Sequence, residues 1–316
     1  IEDITKKVVN QVIEQKQKKE TEATRIVNLS KTHSKNNLPI EQNTMEFASV
    51  FNTTKEEQEK KIVTRYFPGL NPQGEKRFVK FGTGTLEGNE LVKLEDLNTL
   101  LACFLLLQHA DKRKGYSFET SYNKLAKMVF DVPDSRPAGG REIAEIKKSL
   151  NRLSVCIMET NFWWHKIGNE RIVKKITHLM ANEEGEEESV RISFSEDIAK
   201  SMEMGYIRWL EDKKLKDILR LRGHAKVLVL FFLKRIGQEK LGVYTMESVL
   251  EYLGVKEKYE KMPTMYKNQE IKRTIIPAIE KAVKVLGLSY KIVPEKHPEK
   301  IFIFKEQKKL APKENI

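Results

Sequence analysis

Two amide side chains stand beside a cluster of basic residues near the start of one predicted helix. Asn268 and Gln269 carry side chains that can pair with the edge of adenine through two hydrogen bonds. Lys and Arg side chains near them can contact guanine edges or phosphates. These basic residues are Lys267, Lys272 and Arg273, and Lys284 adds a further basic side chain near the end of the same helix. The residue types and their spacing therefore predict contacts to a nucleic acid.

The segment after this helix adds further basic residues. Lys291, Lys296 and His297 fall on a predicted strand and on the turn that follows it. A basic hairpin tip can contact phosphates or the minor groove. We interpret Lys291 and Lys296 as DNA contacts and His297 as an ordinary turn residue, with a DNA contact as its alternative.

A second predicted helix, residues 141–153, has one apolar and one basic face. The apolar residues recur at helical spacing and are Ile143, Ile146, Leu150 and Leu153. The basic residues fall on or beside the opposite face and are Arg141, Lys147, Lys148 and Arg152. A helix that packs one face and presents a cationic one suits the major groove. An ordinary solvated surface face is the alternative.

Motifs of known enzyme classes are missing from the sequence. The stretch 69–76 (GLNPQGEK) is close to a phosphate-binding loop, but Glu75 stands where the loop needs Lys. The six His form neither a His-x-His nor an HExxH arrangement. We therefore expect no catalytic residue, no cofactor and no metal site. Cys103 and Cys156 lie in apolar segments and are predicted to be buried free thiols, with a disulfide or a metal site as the alternative.

The net charge of +12 is concentrated in the last third of the chain. Residues 201–316 hold 25 basic and 15 acidic side chains. A polyanion is the simplest partner for such an excess, because each neutralised phosphate releases counterions. A merely soluble or thermostable surface would look similar. The apolar runs are too short for a membrane span and no secretory signal is visible, so we expect a cytoplasmic protein, associated with the nucleoid or a plasmid.

The elements that must position these side chains occur twice in the same order. A long apolar helix is followed by a short strand, a helix, a turn, a third helix and a two-stranded hairpin. In the first copy these are residues 94–110, 116–118, 122–130, 141–153, 171–180 and 189–194, with 181–188 as the hairpin tip. In the second copy they are residues 215–237, 242–244, 246–253, 268–286, 289–293 and 300–304. Pro277 lies inside the third helix and predicts a kink.

This order predicts an α+β fold with two tandem winged-helix domains and a mostly helical or disordered N-terminal extension. Residues 1–29 read as a polar helix and residues 30–61 as a linker or a partly disordered segment. The predicted domains are 1–70 (helix and linker), 71–204 (first winged helix), 205–306 (second winged helix) and 307–316 (tail).

Residues 244–289 resemble the second domain of the replication initiator (Rep) proteins of iteron-type plasmids. The resemblance lies in TMESVLEYLGVKEKY followed by IKRTIIPAIEKAV. A leucine-rich helix ends at Leu253–Gly254, a Tyr follows, and the third helix carries the pair Pro277–Ala278. The similarity extends over about residues 75–305 in architecture, whereas residues 1–70 have no counterpart.

The resemblance implies a protein that binds repeated origin sequences (iterons) in double-stranded DNA, mainly through its second domain. It also implies dimers, formed through the first domain, that repress their own gene, and recruitment of the host initiator and helicase. Asn268, Lys272, Arg273 and Lys284 would contact bases or phosphates, and the basic residues of the helix 141–153 would contact phosphates. A winged-helix transcriptional regulator and a non-enzymatic protein-binding adaptor remain the alternatives.

Overall fold

The computed structural model describes residues 37–71, 73–83, 90–109, 113–163, 166–167, 170–171, 175–185, 188–203, 205, 207–236, 241–293 and 300–304. The predicted helix 1–29, the first part of the predicted linker, Lys296, His297 and the tail 307–316 lie outside these residues. The fold is α+β. None of the helices in the described ranges is long and apolar enough to cross a membrane.

The first described segment is an ordered part of the core. Its elements in chain order are strand β1 (Asn37–Glu41), helix α1 (Gln42–Glu46), a 3₁₀ turn (Ala48–Phe51) and helix α2 (Lys55–Gln58). The prediction of a linker over residues 30–61 is therefore wrong for 37–61. Ile40, Met45 and Val50 are completely buried. The elements are too short to show a helical or strand period in the sequence, so only the fold reveals their apolar face.

The next elements belong to a middle sheet and to the first of two similar units. In chain order they are β2 (Ile62–Leu70), β3 (Lys76–Thr83), α3 (Leu94–His109), β4 (Arg113–Lys114), β5 (Ser117–Ser121), α4 (Tyr122–Phe130), α5 (Gly140–Val155), β6 (Cys156–Thr160), β7 (Lys166–Ile167), β8 (Glu170–Arg171), β9 (Lys175–His178), β10 (Met180–Glu184), β11 (Ser189–Phe194), α6 (Glu196–Glu203) and β12 (Ile207–Glu211). The middle sheet has the antiparallel order β2-β3-β6-β9, and β1 pairs with β12.

The second unit follows. Its elements are α7 (Asp212–Arg220), α8 (His224–Ile236), β13 (Leu241–Thr245), α9 (Met246–Tyr252), α10 (Lys256–Glu260), α11 (Thr264–Glu270), a π-turn (Ile271–Ile275), α12 (Ile276–Leu286), β14 (Ser289–Val293) and β15 (Lys300–Phe304). The single helix predicted for 215–237 is in fact two helices. They are separated at 221–223, where Gly223 has a φ of 58°, a left-handed value that glycine adopts without strain.

Both units have the predicted elements in the predicted order and the same strand pairing, but the second unit has an additional helix, α10, where a turn was predicted. In the first unit β5 pairs with β11, the last strand of the hairpin, and β11 pairs with β10. In the second unit β13 pairs with β15, and β15 pairs with β14. The duplicated connectivity expected from the sequence is therefore present. The predicted hairpin strand 171–180 is wrong for most of its described length, because Lys175–His178 pairs with β6 in the middle sheet and the hairpin strand that pairs with β11 is Met180–Glu184.

The third helix of the second unit is continuous across Pro277, and a π-turn precedes that residue. Proline has no N–H to donate to the carbonyl of Arg273, and its ring crowds that carbonyl. The N–H of Ile276 reaches back five residues to the carbonyl of Ile271, which widens the helix at this point. The kink predicted from the sequence thus takes the form of a π-turn.

Glu46 connects the first segment to both the middle sheet and the second unit. Its carboxylate accepts hydrogen bonds from Arg77 in β3 at 3.0 Å and from Arg235 in α8 at 2.6 Å, and it forms an ion pair with Lys234. Burial raises the pKa of Glu46, but the charges of Lys234, Arg235 and Arg77 outweigh burial and hold that pKa well below its usual range. The carboxylate is therefore ionised in the core.

Further buried contacts tie the same segment to the second unit. The hydroxyl of Tyr252 in α9 donates to the carbonyl of Met45 at 2.8 Å. The side chain of Asn52 donates to the carbonyl of Leu253 at 3.1 Å. A single apolar core runs through the segment, the middle sheet and both units.

The two cysteines are buried free thiols, as predicted. Cys103 lies in α3, and Cys156 begins β6. Burial raises the pKa of both thiols, that of Cys156 to about 12. Neither thiol is therefore reactive at neutral pH.

Candidate nucleic-acid interface

The third helix of the second unit packs one face and exposes the other. The packing face contains Ile271, Ile275, Ala278 and Ala282, which are all buried and recur at helical spacing. Ile279 and Val283 are buried beside them, and α12 packs mainly on α8. Residues spaced three and four apart share a helix face, so the remaining positions are left to solvent.

Most of the predicted DNA contacts lie on this exposed side. The exposed residues are Asn268, Gln269, Lys272, Arg273 and Lys284 on the helix and Lys291 on β14. Lys267 is partly buried. Lys296 lies outside the described residues. The structure thus brings together the amide and basic side chains at 268–273, whereas Lys284 lies more than three turns further along the helix.

An acidic neighbour positions Arg273 on this face. Glu270 forms an ion pair with Arg273 at 2.8 Å, and the hydroxyl of Thr274 donates to Glu270 at 2.9 Å. The hydrogen bond from Thr274 and the charge of Arg273 lower the pKa of Glu270. The Arg273 side chain is nevertheless 80% exposed, so its guanidinium can reach a ligand.

Two large side chains on the same face were not among the predicted contacts. Met265 and Tyr266 are 64% and 60% exposed. The sequence pattern predicts a helix that begins at residue 268, which leaves both of them in a turn. The helix in fact begins at Thr264, directly after Pro263. A proline at a helix start is a signal that could have found them.

The basic helix of the first unit, α5, has the predicted apolar face. Ile146, Leu150 and Leu153 are buried, and Ile143 packs partly against them. On the other side Arg141, Lys147 and Lys148 are exposed.

Both exposed lysines have acidic partners. The ammonium of Lys147 lies 4.6 Å from the centre of the Tyr122 ring and 3.5 Å from a carboxylate oxygen of Glu184. Lys148 pairs with Glu145 at 3.4 Å. Surface pairs of this kind contribute little to stability, so both ammonium groups remain available to a stronger anion.

Arg152 is not part of this basic surface, and its predicted role as a DNA contact is wrong. Its side chain is only 9% exposed and donates two hydrogen bonds to Asp96 in α3, each 2.8 Å long. Glu90 accepts a third at 3.2 Å. The helical spacing was right, but α3 covers this end of α5, where the hydroxyls of Ser149 and Thr99 also meet at 2.8 Å. Arg152 therefore holds α5 against α3.

A third basic surface lies where the two units meet. A cleft of about 1280 Å³ opens between α3 and α4 on one side and α7 and α8 on the other. Its basic lining residues are Lys124, Lys127, Lys216, Arg220, Arg222 and Lys226, against the acids Glu95, Asp131 and Asp134. None of these residues was predicted to bind a ligand.

Lys226 is the buried member of this group. It donates to the side-chain oxygen of Asn98 at 2.6 Å and to the carbonyl of Leu219 at 3.2 Å, both neutral acceptors. Burial lowers the pKa of Lys226 to about 8, and the charge of Arg222 acts in the same direction. Among the described residues no group of three or more His, Cys, Asp or Glu side chains could hold a metal ion.

Comparisons with known proteins give a structural likeness only. No protein-family model matches the chain, and no curated protein matches it. The structure is similar to a crystal structure of domains 2 and 3 of RctB, with a TM-score of 0.51 and 12% sequence identity, over 83% of this chain and 98% of that one. A second crystal structure of RctB domains 2 and 3 gives a TM-score of 0.47, with 12% identity, over 82% of this chain and 96% of that one. The first likeness shows that the chain shares the fold of those two domains.

Proposed function

We propose that the chain is a sequence-specific double-stranded DNA-binding protein that initiates plasmid replication by binding origin repeats. The observation that carries the proposal is the exposed face of the third helix in the second unit. Gln269, Lys272 and Arg273 stand there on a helix whose other face is packed into the core. A helix held in this way can enter the major groove and present amide and guanidinium groups to base edges.

The two units are proposed to act as winged helices with different tasks. The second unit lies in the part of the chain with the charge excess and reads sequence. The first unit offers Arg141, Lys147 and Lys148 for phosphates, and it mediates a homodimer that represses the chain's own gene. The resemblance of residues 244–289 to Rep proteins supports the replication role and the recruitment of the host initiator and helicase.

We further propose that the protein has no catalytic site, needs no cofactor and works in the cytoplasm on nucleoid or plasmid DNA. The sequence supports the first two points, because no enzyme motif in it is complete. The third follows from the nature of the ligand.

Salt titration of DNA binding tests the proposal against a protein-binding adaptor. The log of the affinity should fall with the log of salt concentration by about 0.9 for each phosphate contacted. Lys272→Glu should weaken binding and flatten this slope. Lys200→Glu, a matched exposed lysine on α6, should change both much less. An affinity that does not respond to salt would contradict DNA binding.

A winged-helix transcriptional regulator would pass the same titration. Footprinting on the DNA that flanks the gene separates the two functions. Direct repeats under the footprint, together with replication of a plasmid that carries them, are expected for an initiator. A single inverted repeat over a promoter, with no support of replication, would establish the regulator instead.

A further inference from the structure

Met265 and Tyr266 are large apolar side chains that the fold leaves in water. They are among the most exposed large hydrophobic residues in the described part of the chain. They occupy the first turn of α11, and the buried side of the same helix begins only at Ile271. Packing within the chain therefore gives no reason for apolar side chains at these two positions.

Both residues share a helix face with the predicted DNA contacts. Met265 and Lys272 are seven residues apart, as are Tyr266 and Arg273, and seven residues make nearly two full turns. Gln269 lies between the pairs, three or four residues from each member. The exposed face from 265 to 273 thus carries apolar groups at one end, an amide in the middle and two cations at the other end.

The composition of this face restricts what can cover it. Lys272 and Arg273 favour an anionic partner, and so does the nearby Lys267. The Tyr266 hydroxyl can donate to a phosphate oxygen, but its ring and the Met265 side chain gain nothing from phosphates, so the partner must also offer an apolar group. On the base edges of the major groove that group is the C5-methyl of thymine.

We propose that Met265 and Tyr266 contact thymine methyl groups and so determine part of the DNA sequence that this helix reads. The inference rests on the proposed function, because it places the helix in the major groove. It adds that specificity comes from two apolar residues as well as from the amide and basic side chains. The preferred site should accordingly contain thymine at the positions under the first turn of α11.

The test removes the methyl groups from the DNA and the side chains from the protein in the same experiment. The probe is the duplex that the full chain selects from a random-sequence pool, with deoxyuridine replacing thymine at one position at a time. At one or two positions the wild-type affinity should fall about four-fold, as expected for one buried methyl group. Met265→Ala and Tyr266→Ala should each lower affinity for the thymine duplex and abolish the difference between thymine and deoxyuridine at the position that the removed side chain contacts.

A matched control is Ile157→Ala, which removes an exposed side chain from β6 in the middle sheet. It should keep the full response to deoxyuridine. If wild type and both helix variants respond equally, or if the selected duplex has no thymine that matters, the methyl contact is refuted while salt-dependent binding still supports the proposed function. If the wild-type chain binds no duplex in a salt-dependent manner, the proposed function and this inference both fail.

Discussion

The carboxylate of Glu46 accepts a hydrogen bond from the guanidinium of Arg235 at 2.6 Å, across 189 positions of sequence. The same carboxylate also forms ion pairs with Arg77 and Lys234, so one buried acid contacts three basic side chains. This cluster joins the first segment, the middle sheet and the second unit at one point.

Glu46→Gln should destabilise the protein strongly. Removing the acid leaves buried cations without compensation, which typically costs about 3–5 kcal/mol. The free energy of unfolding from urea denaturation measures the loss. Glu159→Gln is the matched control, because the ion pair of Glu159 with Lys80 is 4.0 Å long and lies on the sheet surface, and the loss should stay below about 1 kcal/mol. Equal losses in the two variants would contradict a structural role for the cluster.

The lowered pKa of Lys226 predicts that the free energy of unfolding rises with pH above neutrality. Its pKa is about 8 in the folded protein, compared with 10.5 for an unperturbed lysine, and Glu95 opposes part of this shift. Between these two values the unfolded chain holds the proton that the folded chain releases, so the free energy of unfolding increases with pH. One pKa unit corresponds to about 1.4 kcal/mol, which limits the gain to roughly 3 kcal/mol.

The measurement for Lys226 is the difference in unfolding free energy between wild type and Lys226→Met from pH 7 to pH 10.5. Groups that titrate in both proteins cancel in this difference. It should grow in favour of wild type as pH rises from about 8. A difference that is constant over this range would show that Lys226 has an ordinary pKa in the folded protein.

Arg152→Met should affect folding and leave DNA contacts intact. The change leaves the completely buried Asp96 without its cationic partner. The free energy of unfolding should therefore fall by about 3–5 kcal/mol. Lys148→Met, on the exposed side of the same helix, should leave stability almost unchanged and reduce the salt dependence of DNA binding. Circular dichroism on denaturation and binding assays on the folded protein separate the two effects. If the Arg152→Met protein is as stable as wild type but binds DNA more weakly, that result would support the original prediction that Arg152 contacts DNA.

Arg273→Ala should weaken binding to the selected duplex by about 1–3 kcal/mol if the guanidinium contacts a base. The loss on a random duplex should be smaller. Competition binding with both duplexes measures the difference, and Lys200→Ala serves as the charge-matched control. Equal losses of binding free energy on both duplexes would show that Arg273 contacts a phosphate and not a base.

Long helices with one apolar face could be predicted from the sequence, whereas short elements and ion pairs could not. Leu150 and Ile275 lie in patterns that repeat over several turns, and both are completely buried. Ile40 and Met45 belong to five-residue elements that are too short to show a period. Arg152 shares its helix face with exposed lysines, and only the neighbouring helix decides that it is buried. The predicted candidate site began at residue 267. It left out Met265 and Tyr266 in the first turn, because the predicted helix began four residues too late.

Under the proposed function, the apolar core that joins the two units restricts the length of DNA that the protein can recognise. Two DNA-contacting helices on units joined by such a core keep one separation and one relative orientation. A duplex turns once in about 10.5 base pairs, so an insertion of about five base pairs rotates one contact to the far side of the double helix. Such a chain would select DNA sites by the spacing and helical phase of the two contact points as well as by the base sequence.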